Sequence, residues 1–221
     1  MKTSNNSTPS SALEPMEENA WLEWIKQVYA VAQWGLTYSK DPFELERYEA
    51  LKSLSKDMMA DFTQIDKIRI PELFAHEVGY VTPKVDIRGV VFKEDKILMV
   101  QERWDGCWSL PGGWADIGLS PAEVAAKEVL EESGFIVKPV KLLAVLDKKF
   151  FSHPVSAFHI YKHFILCEIE GGEAQTGLES IGVSFFGLDE LPPLSSHRIT
   201  REQLELLFRH AKEPERPTDF N

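Results

Sequence analysis

Residues 112–135 read GGWADIGLSPAEVAAKEVLEESGF, a glycine turn followed by a helix that carries Glu128, Glu131 and Glu132. At roughly 100° per residue, these three carboxylates fall within about a third of the helix circumference. Ala122, Ala125, Ala126, Val129 and Leu130 occupy the other side, so the helix is amphipathic. Ser120-Pro121-Ala122-Glu123 reads as a capping box with proline at the first helical position. Gly134 stands where a left-handed residue is wanted to close the helix. The acidic trio lies in the C-terminal half, where the macrodipole disfavours negative charge and like charges one turn apart repel. Local helix stability does not select such residues. A solvated acidic face is the plain alternative, but glycine turn, cap and cluster in one window favour a bound hard cation. Mg2+ is the usual one when water and substrate phosphate complete its shell.

The window resembles the Nudix box, GX5EX7REUXEEXGU with U an aliphatic residue. Gly113 takes the first glycine, Lys127-Glu128-Val129 the REU, Glu131-Glu132 the EE and Gly134-Phe135 the closing GU. The preceding Trp108-Ser109-Leu110-Pro111-Gly112 is similar to the family's entry loop. Two positions depart from the pattern. Leu119 stands where the box has its first glutamate, and Lys127 where it has arginine. Those two family positions commonly form an ion pair, so their joint change reads as one exchanged pair, with Leu119 expected against apolar neighbours. The resemblance implies that Glu128, Glu131 and Glu132 hold one or more Mg2+ or Mn2+ ions, with the Gly112 carbonyl as a backbone ligand. It also implies a water-orienting base from a loop before a late strand, and Glu179 is the acidic residue there.

Composition bounds the reading. A chain of 221 residues fits one large domain, or a standard domain with an appendage. A net charge of −11 argues against a general nucleic-acid surface, which needs a basic patch to displace counterions. Cys107 and Cys167 lie far apart with no CxxC spacing, which suits a reducing cytoplasm and suggests neither a disulfide framework nor a zinc site. No apolar run approaches the roughly 20 residues that span a bilayer, so no membrane partner is expected.

Residues 1–18 are polar and Pro-containing and are expected to be disordered. Residues 19–66 carry two apolar stripes at helical spacing, Trp21 to Leu36 and Leu45 to Phe62, the second opened by Asp41-Pro42-Phe43-Glu44. They predict a helical hairpin with more apolar surface than it can hide, which packs on its own domain or forms a homodimer. In residues 67–213, strands are expected at Val85–Phe92, Lys96–Gln101, Ile136–Asp147, His159–Ile169 and Ser184–Phe186, with a final helix from Thr200 to about Ala211. Residues 214–221 read as a tail. The fold class is therefore α/β: a mixed sheet in an α/β/α sandwich, preceded by a helical hairpin.

Candidate substrate contacts are Arg88, Lys148 and Arg198 for phosphates, and Trp104, Phe150, Phe151 and Tyr80 for stacking on a base. His159 and His163 are four residues apart, about 13 Å on a strand, too far to share a zinc ion. From the hairpin through the strand TPKVDIRGVVF to the box, the architecture is similar to bacterial Nudix enzymes acting on CDP-choline or ADP-ribose. The implied substrate is a nucleoside diphosphate linked to a second moiety, hydrolysed to a nucleoside monophosphate and a phosphorylated partner. Hydrolysis of a nucleoside triphosphate or RNA cap, and non-catalytic nucleotide sensing, stay open as other readings.

Overall fold

The computed structural model describes residues 15–63 and 79–221. The expected disordered tail lies outside the described residues as far as residue 14, and the expected boundary at 66–67 also lies outside them. The chain divides into two compact units, one up to Val81 and one from Thr82 onward.

In the first unit, α1 (Pro15–Tyr38) and α2 (Pro42–Thr63) form the expected hairpin. The Asp41 carboxylate accepts the backbone N–H groups of Phe43 and Glu44 at 2.9 and 3.0 Å, capping α2. A Cβ on Gly35 would stand 2.4 Å from the Tyr48 ring, so glycine lets the two helices meet there. Leu22, Ile25, Tyr29, Ala32, Met59 and Ala60 are buried. Trp21, Trp24 and Trp34 remain about half exposed, at 46, 53 and 50%. That is more apolar surface than scattered single residues leave on a monomer.

In the second unit, among the described residues, eight strands form one mixed sheet. These are β1 (Lys84–Lys93), β2 (Lys96–Glu102), β3 (Trp108–Ser109), β4 (Gly112–Trp114), β5 (Phe135–Asp147), β6 (Ile160–Gly172), β7 (Ser180–Phe186) and β8 (Asp219–Phe220). Its backbone order is β3-β2-β1-β6-β5-β8, with β4 paired to the start of β1 and β7 to β2. β1 runs parallel to β6 with Asp86 opposite Lys162 and Arg88 opposite Phe164. β5 and β6 are antiparallel neighbours with three irregularities in register.

Helix α3 (Pro121–Ser133) lies on one face, where Val124, Ala125 and Val129 join Ile87, Val91, Val137 and Ile165. Helix α4 (Arg201–Lys212) covers the other, where Leu204, Leu207 and Phe208 join Val90, Leu143 and Phe164. This is the expected sandwich. Both capping boxes form, Ser120 with Glu123 and Thr200 with Gln203, and Gly134 closes α3 at φ 78°. β7 begins four residues before the expected strand because its register with β2 extends to Ser180 opposite Glu102. Residues 214–221 also differ from a free tail. Asp219–Phe220 adds a parallel edge strand to β5, fixed by Arg216 and His210 on Asp219 and by Asp147 N–H on the Asn221 side-chain carbonyl. Their sequence is too short to show a strand; the pairing is with residues 74 to 76 positions away.

A Cβ on Gly89, the β1 residue beneath α3, would stand 2.3 Å from Cγ2 of the fully buried Val129. Gly89→Ala should therefore push α3 off the sheet and destabilise the protein by about 1–3 kcal/mol, read as a lowered denaturation midpoint with an unchanged m-value.

Candidate active site

The site is built where β1 and β6 begin, on the face that α4 covers. Alternation along β1 points Asp86 and Arg88 into this face, and alternation along β6 adds Lys162 between Ile160 and Phe164. All three charged side chains are buried. Arg88 grips Asp86 with two N–H groups, at 2.8 and 3.2 Å, and spends further donors on Ser109 Oγ (3.3 Å) and the Leu110 carbonyl (3.0 Å). Lys162 also contacts the Asp86 carboxylate. Burial alone would raise the Asp86 carboxyl, but Arg88 and Lys162 outweigh it and hold it below the usual range. The same burial lowers Lys162 to about 8 despite Asp86, with Arg88 and Lys148 adding to the fall.

By holding the Leu110 carbonyl, Arg88 sets the turn that leads into β4. Gly112 adopts φ 146°, and a Cβ there would lie 2.0 Å from the Ile87 carbonyl oxygen. Its N–H donates to Glu132 Oε2 at 3.0 Å. Glu132 is 7% exposed. Desolvation pushes its carboxyl up to about 8 against the pull of Arg88 and the Gly112 N–H, with Glu102 and Glu128 adding to the rise. Glu128, half buried, is raised by the same desolvation, and Glu131 and Glu179 oppose the relief Lys127 provides.

Glu179 reaches the site through a tethered loop. The Ser180 hydroxyl donates to the Glu132 carbonyl (2.7 Å) and accepts the Gly177 N–H (2.7 Å). A Cβ on Gly177 would sit 1.9 Å from the Glu131 carbonyl oxygen, so only glycine lets the loop approach the end of α3.

These groups line a cavity of about 290 Å3. Glu102, Glu132 and Glu179 are on its walls, as are Lys148, Lys162 and Arg198, with Trp114 and Phe158 at aromatic contact distance (6.2 Å). Of the residues expected from sequence, Gly112, Glu132, Glu179, Arg88, Lys148 and Arg198 come together here. Trp104 is 71% exposed and stacks under the Arg198 guanidinium at 5.8 Å, which in turn pairs with Glu102 at 3.0 Å. Phe150 lies under Lys149 (5.0 Å), Phe151 packs against the core, and Tyr80 meets Trp34 in the first unit. None of these three lines the cavity. Arg88, expected at phosphate, lines the cavity and also anchors the turn through four hydrogen bonds to protein acceptors. His159 pairs with Asp147 at 3.1 Å, and His163 is a sheet residue.

The acidic trio is split by the helix. Glu132 points inward, whereas Glu131 is 57% exposed at its side chain and lies 3.4 Å from Lys127. Glu128 is 3.7 Å from the same ammonium. Among the described residues, no three His, Cys, Asp or Glu side chains already converge as an ion site.

With this geometry in hand, comparison with known proteins gives one answer. The NUDIX domain model matches residues 82–207, and a model described as UDP-X-like, N-terminal oligomerisation domain matches residues 19–74. The chain belongs to the Nudix family. It is 48% identical over 204 residues to the Bacillus subtilis protein YjhB, provisionally named an ADP-ribose pyrophosphatase, covering 92% of this chain and 98% of that one. A solved Streptococcus suis ADP-ribose pyrophosphatase is 44% identical, covering 63% of this chain and all of that one, with a TM-score of 0.59. A solved UDP-X diphosphatase is 33% identical over 92% of this chain and 99% of that one, with a TM-score of 0.60. This Nudix hydrolase also shows what became of the departed pair. Leu119 does not find an apolar pocket and is 38% exposed. Lys127 takes its carboxylate from Asp116, three residues earlier, at 3.0 Å. The ion pair has moved along the loop. It has not been exchanged for an apolar contact.

Sequence reading missed Asp86, Lys162, Glu102, Trp114 and Phe158. The first two had a legible signal, a charge at an inward position of an otherwise apolar strand.

Two outcomes are expected. Gly112→Ala cannot keep the turn, so activity should vanish and the melting temperature fall, although every acidic and basic group remains. His153 accounts for a pH effect: its Nδ1 meets the Ser196 carbonyl at 2.6 Å, and desolvation lowers it to about 4 from an ordinary 6.5, with Lys162 and Lys148 contributing. The folded state thus resists a proton that the unfolded state accepts. The His153 contribution to stability is fully present above about pH 6.5 and lost as pH falls toward 4. Denaturant titrations across that window should show a shallower slope for His153→Gln.

Proposed function

We propose that this Nudix hydrolase cleaves the pyrophosphate bond of a nucleoside diphosphate linked to a second moiety, with ADP-ribose as the first candidate. One observation carries the reading: a single cavity sets carboxylates against cations and an aromatic pair. That division suits a substrate with charged phosphates in the middle and a base at one end. Glu128, Glu131 and Glu132, with the Gly112 carbonyl, would hold Mg2+ or Mn2+. The donor set fits, since oxygen ligands suit hard cations and, among the described residues, the contact to the buried Glu132 carboxylate is the Gly112 N–H and not a salt bridge. An ion held there neutralises charge on the phosphoryl oxygens. Glu179, brought across from α3, orients water and takes its proton as the water oxygen bonds to phosphorus and the bridging P–O bond breaks. Arg198 and the exposed Trp104 meet the substrate at the rim.

The names of the relatives described above support this substrate class. ADP-ribose is named for two of them, whereas the match of residues 19–74 and the structure similar over nearly the whole chain favour a UDP-linked substrate as the second reading. CDP-choline belongs to the same class of linkage. The deciding experiment is a Mg2+-dependent screen of ADP-ribose, UDP-sugars and CDP-choline with both products identified. AMP plus ribose 5-phosphate from ADP-ribose would support the first reading, and UMP plus a sugar phosphate the second. Release of inorganic pyrophosphate from a nucleoside triphosphate alone would defeat both.

Excess EDTA should abolish turnover while the fold survives. Glu132→Gln should lower kcat by orders of magnitude and leave the melting temperature unchanged or raised, because it removes a carboxyl whose charged form burial disfavours. The exposed tryptophans of α1 would be covered in a homodimer, the commonest closed assembly. Light scattering should report twice the chain mass for the full-length protein, and a monomer at micromolar concentration would remove that reading.

A further inference from the structure

Lys162 is among the largest fully buried side chains of the described residues. It lies in β6 between Ile160 and Phe164, at a position where methionine or leucine would pack, and its side chain is 2% exposed. Its carboxylate partner is Asp86, which already receives two N–H groups from Arg88. One buried carboxylate therefore faces two buried cations. Glu102 pairs with Arg198 and Glu132 accepts from Gly112, and both also act on Arg88, whereas Asp86 is the one carboxylate acting on Lys162. The third charged neighbour acting on Lys162 is Lys148, another cation. A buried ammonium in cationic company is costly unless an anion completes it. Both lysines line the cavity, on walls they share with Trp114 and Phe158.

We propose that Lys162, backed by Lys148, is the phosphate-recognition point of this cavity, binding a phosphoryl oxygen of the substrate that the carboxylates cannot approach. Carboxylates repel phosphate unless a cation lies between, so a diphosphate entering the cavity needs a second, directly cationic contact. Lys162 supplies it from a strand and not from a loop, and Asp86 fixes the direction of the ammonium. An apolar group at that position would leave the same oxygen buried without a donor. This inference rests on the nucleoside diphosphate reading above for its substrate, but the site itself is defined by an inorganic anion and can be tested without turnover.

The test uses the full-length protein, wild type and Lys162→Met, with titration calorimetry of inorganic pyrophosphate and of adenosine in EDTA. Loss of a charge-assisted contact predicts pyrophosphate binding weakened about ten- to hundredfold, adenosine binding unchanged, and partial recovery in Lys162→Arg. Steady-state kinetics on ADP-ribose with Mg2+ should show a raised KM of similar size with a smaller change in kcat. If Lys162→Met does not fold, Lys162→Gln keeps a donor for Asp86 while removing the charge, and the same comparison applies. Equal pyrophosphate affinity in the folded neutral variant would overturn the proposal and leave Lys162 as a partner of Asp86 alone. A parallel loss for adenosine would also overturn it, because that marks general damage to the cavity. Absence of ADP-ribose turnover in the wild type would count against the functional reading, while the pyrophosphate titration would still decide the role of Lys162.

Discussion

The rest of the site depends on the buried pairing of Arg88 with Asp86. An arginine in the second layer of a sheet is tolerable only when its charge and its donors are met, and here one carboxylate, one hydroxyl and one carbonyl meet them. The Leu110 carbonyl is the consequential partner. Through it, a β1 side chain fixes a turn that begins twenty-two residues away and delivers the Gly112 N–H to Glu132. Replacing Arg88 by an apolar residue would leave Asp86 with Lys162 alone and the turn without its anchor. Organiser and acidic wall are one connected network, in which Arg88 acts on Glu132 through the turn that carries Gly112.

Electrostatic division is what the network produces. Desolvation raises Glu102, Glu128 and Glu132 together and lowers Lys162 and His153. Burial thus pushes the carboxyls and Lys162 toward their neutral forms, the kind of perturbation that clusters at functional sites. Tethers hold the walls apart. Ser180 ties the Glu179 loop to α3, and Ser152 and His153 tie the segment after Lys148 to Glu202 and Ser196. The cavity is bounded by loops whose ends are hydrogen-bonded to rigid elements, an arrangement that suits positioning chemistry.

Much of this was legible in the sequence where the cause was local. The capping box at Ser120, the left-handed Gly134 and the carboxylates one turn apart are fixed by spacing within a single helix, and the structure has all of them. Strands β1, β2, β5 and β6 were equally readable as apolar, β-branched runs, because both faces of the sheet are covered. What could not be read was whatever pairing across long separations creates. Asp86 and Lys162 are seventy-six residues apart and meet only through the parallel register of β1 with β6. The edge strand at Asp219 depends on β5 in the same way, and the Asp116–Lys127 pair depends on how the loop before α3 closes. Arg88 shows the other limit. Its residue type suggested phosphate, and only the packed structure shows that it also holds Asp86, Ser109 and Leu110.

We propose that the buried Glu132, held by the Arg88-anchored turn, belongs to a wall of carboxylates that binds a divalent cation. Mn2+ binding measured by electron paramagnetic resonance, on the full-length protein and on Glu132→Gln, tests it most directly. The account predicts stoichiometric Mn2+ uptake by the wild type and marked weakening in the variant, with the fold intact by circular dichroism. Undiminished Mn2+ binding in a folded Glu132→Gln protein would contradict it.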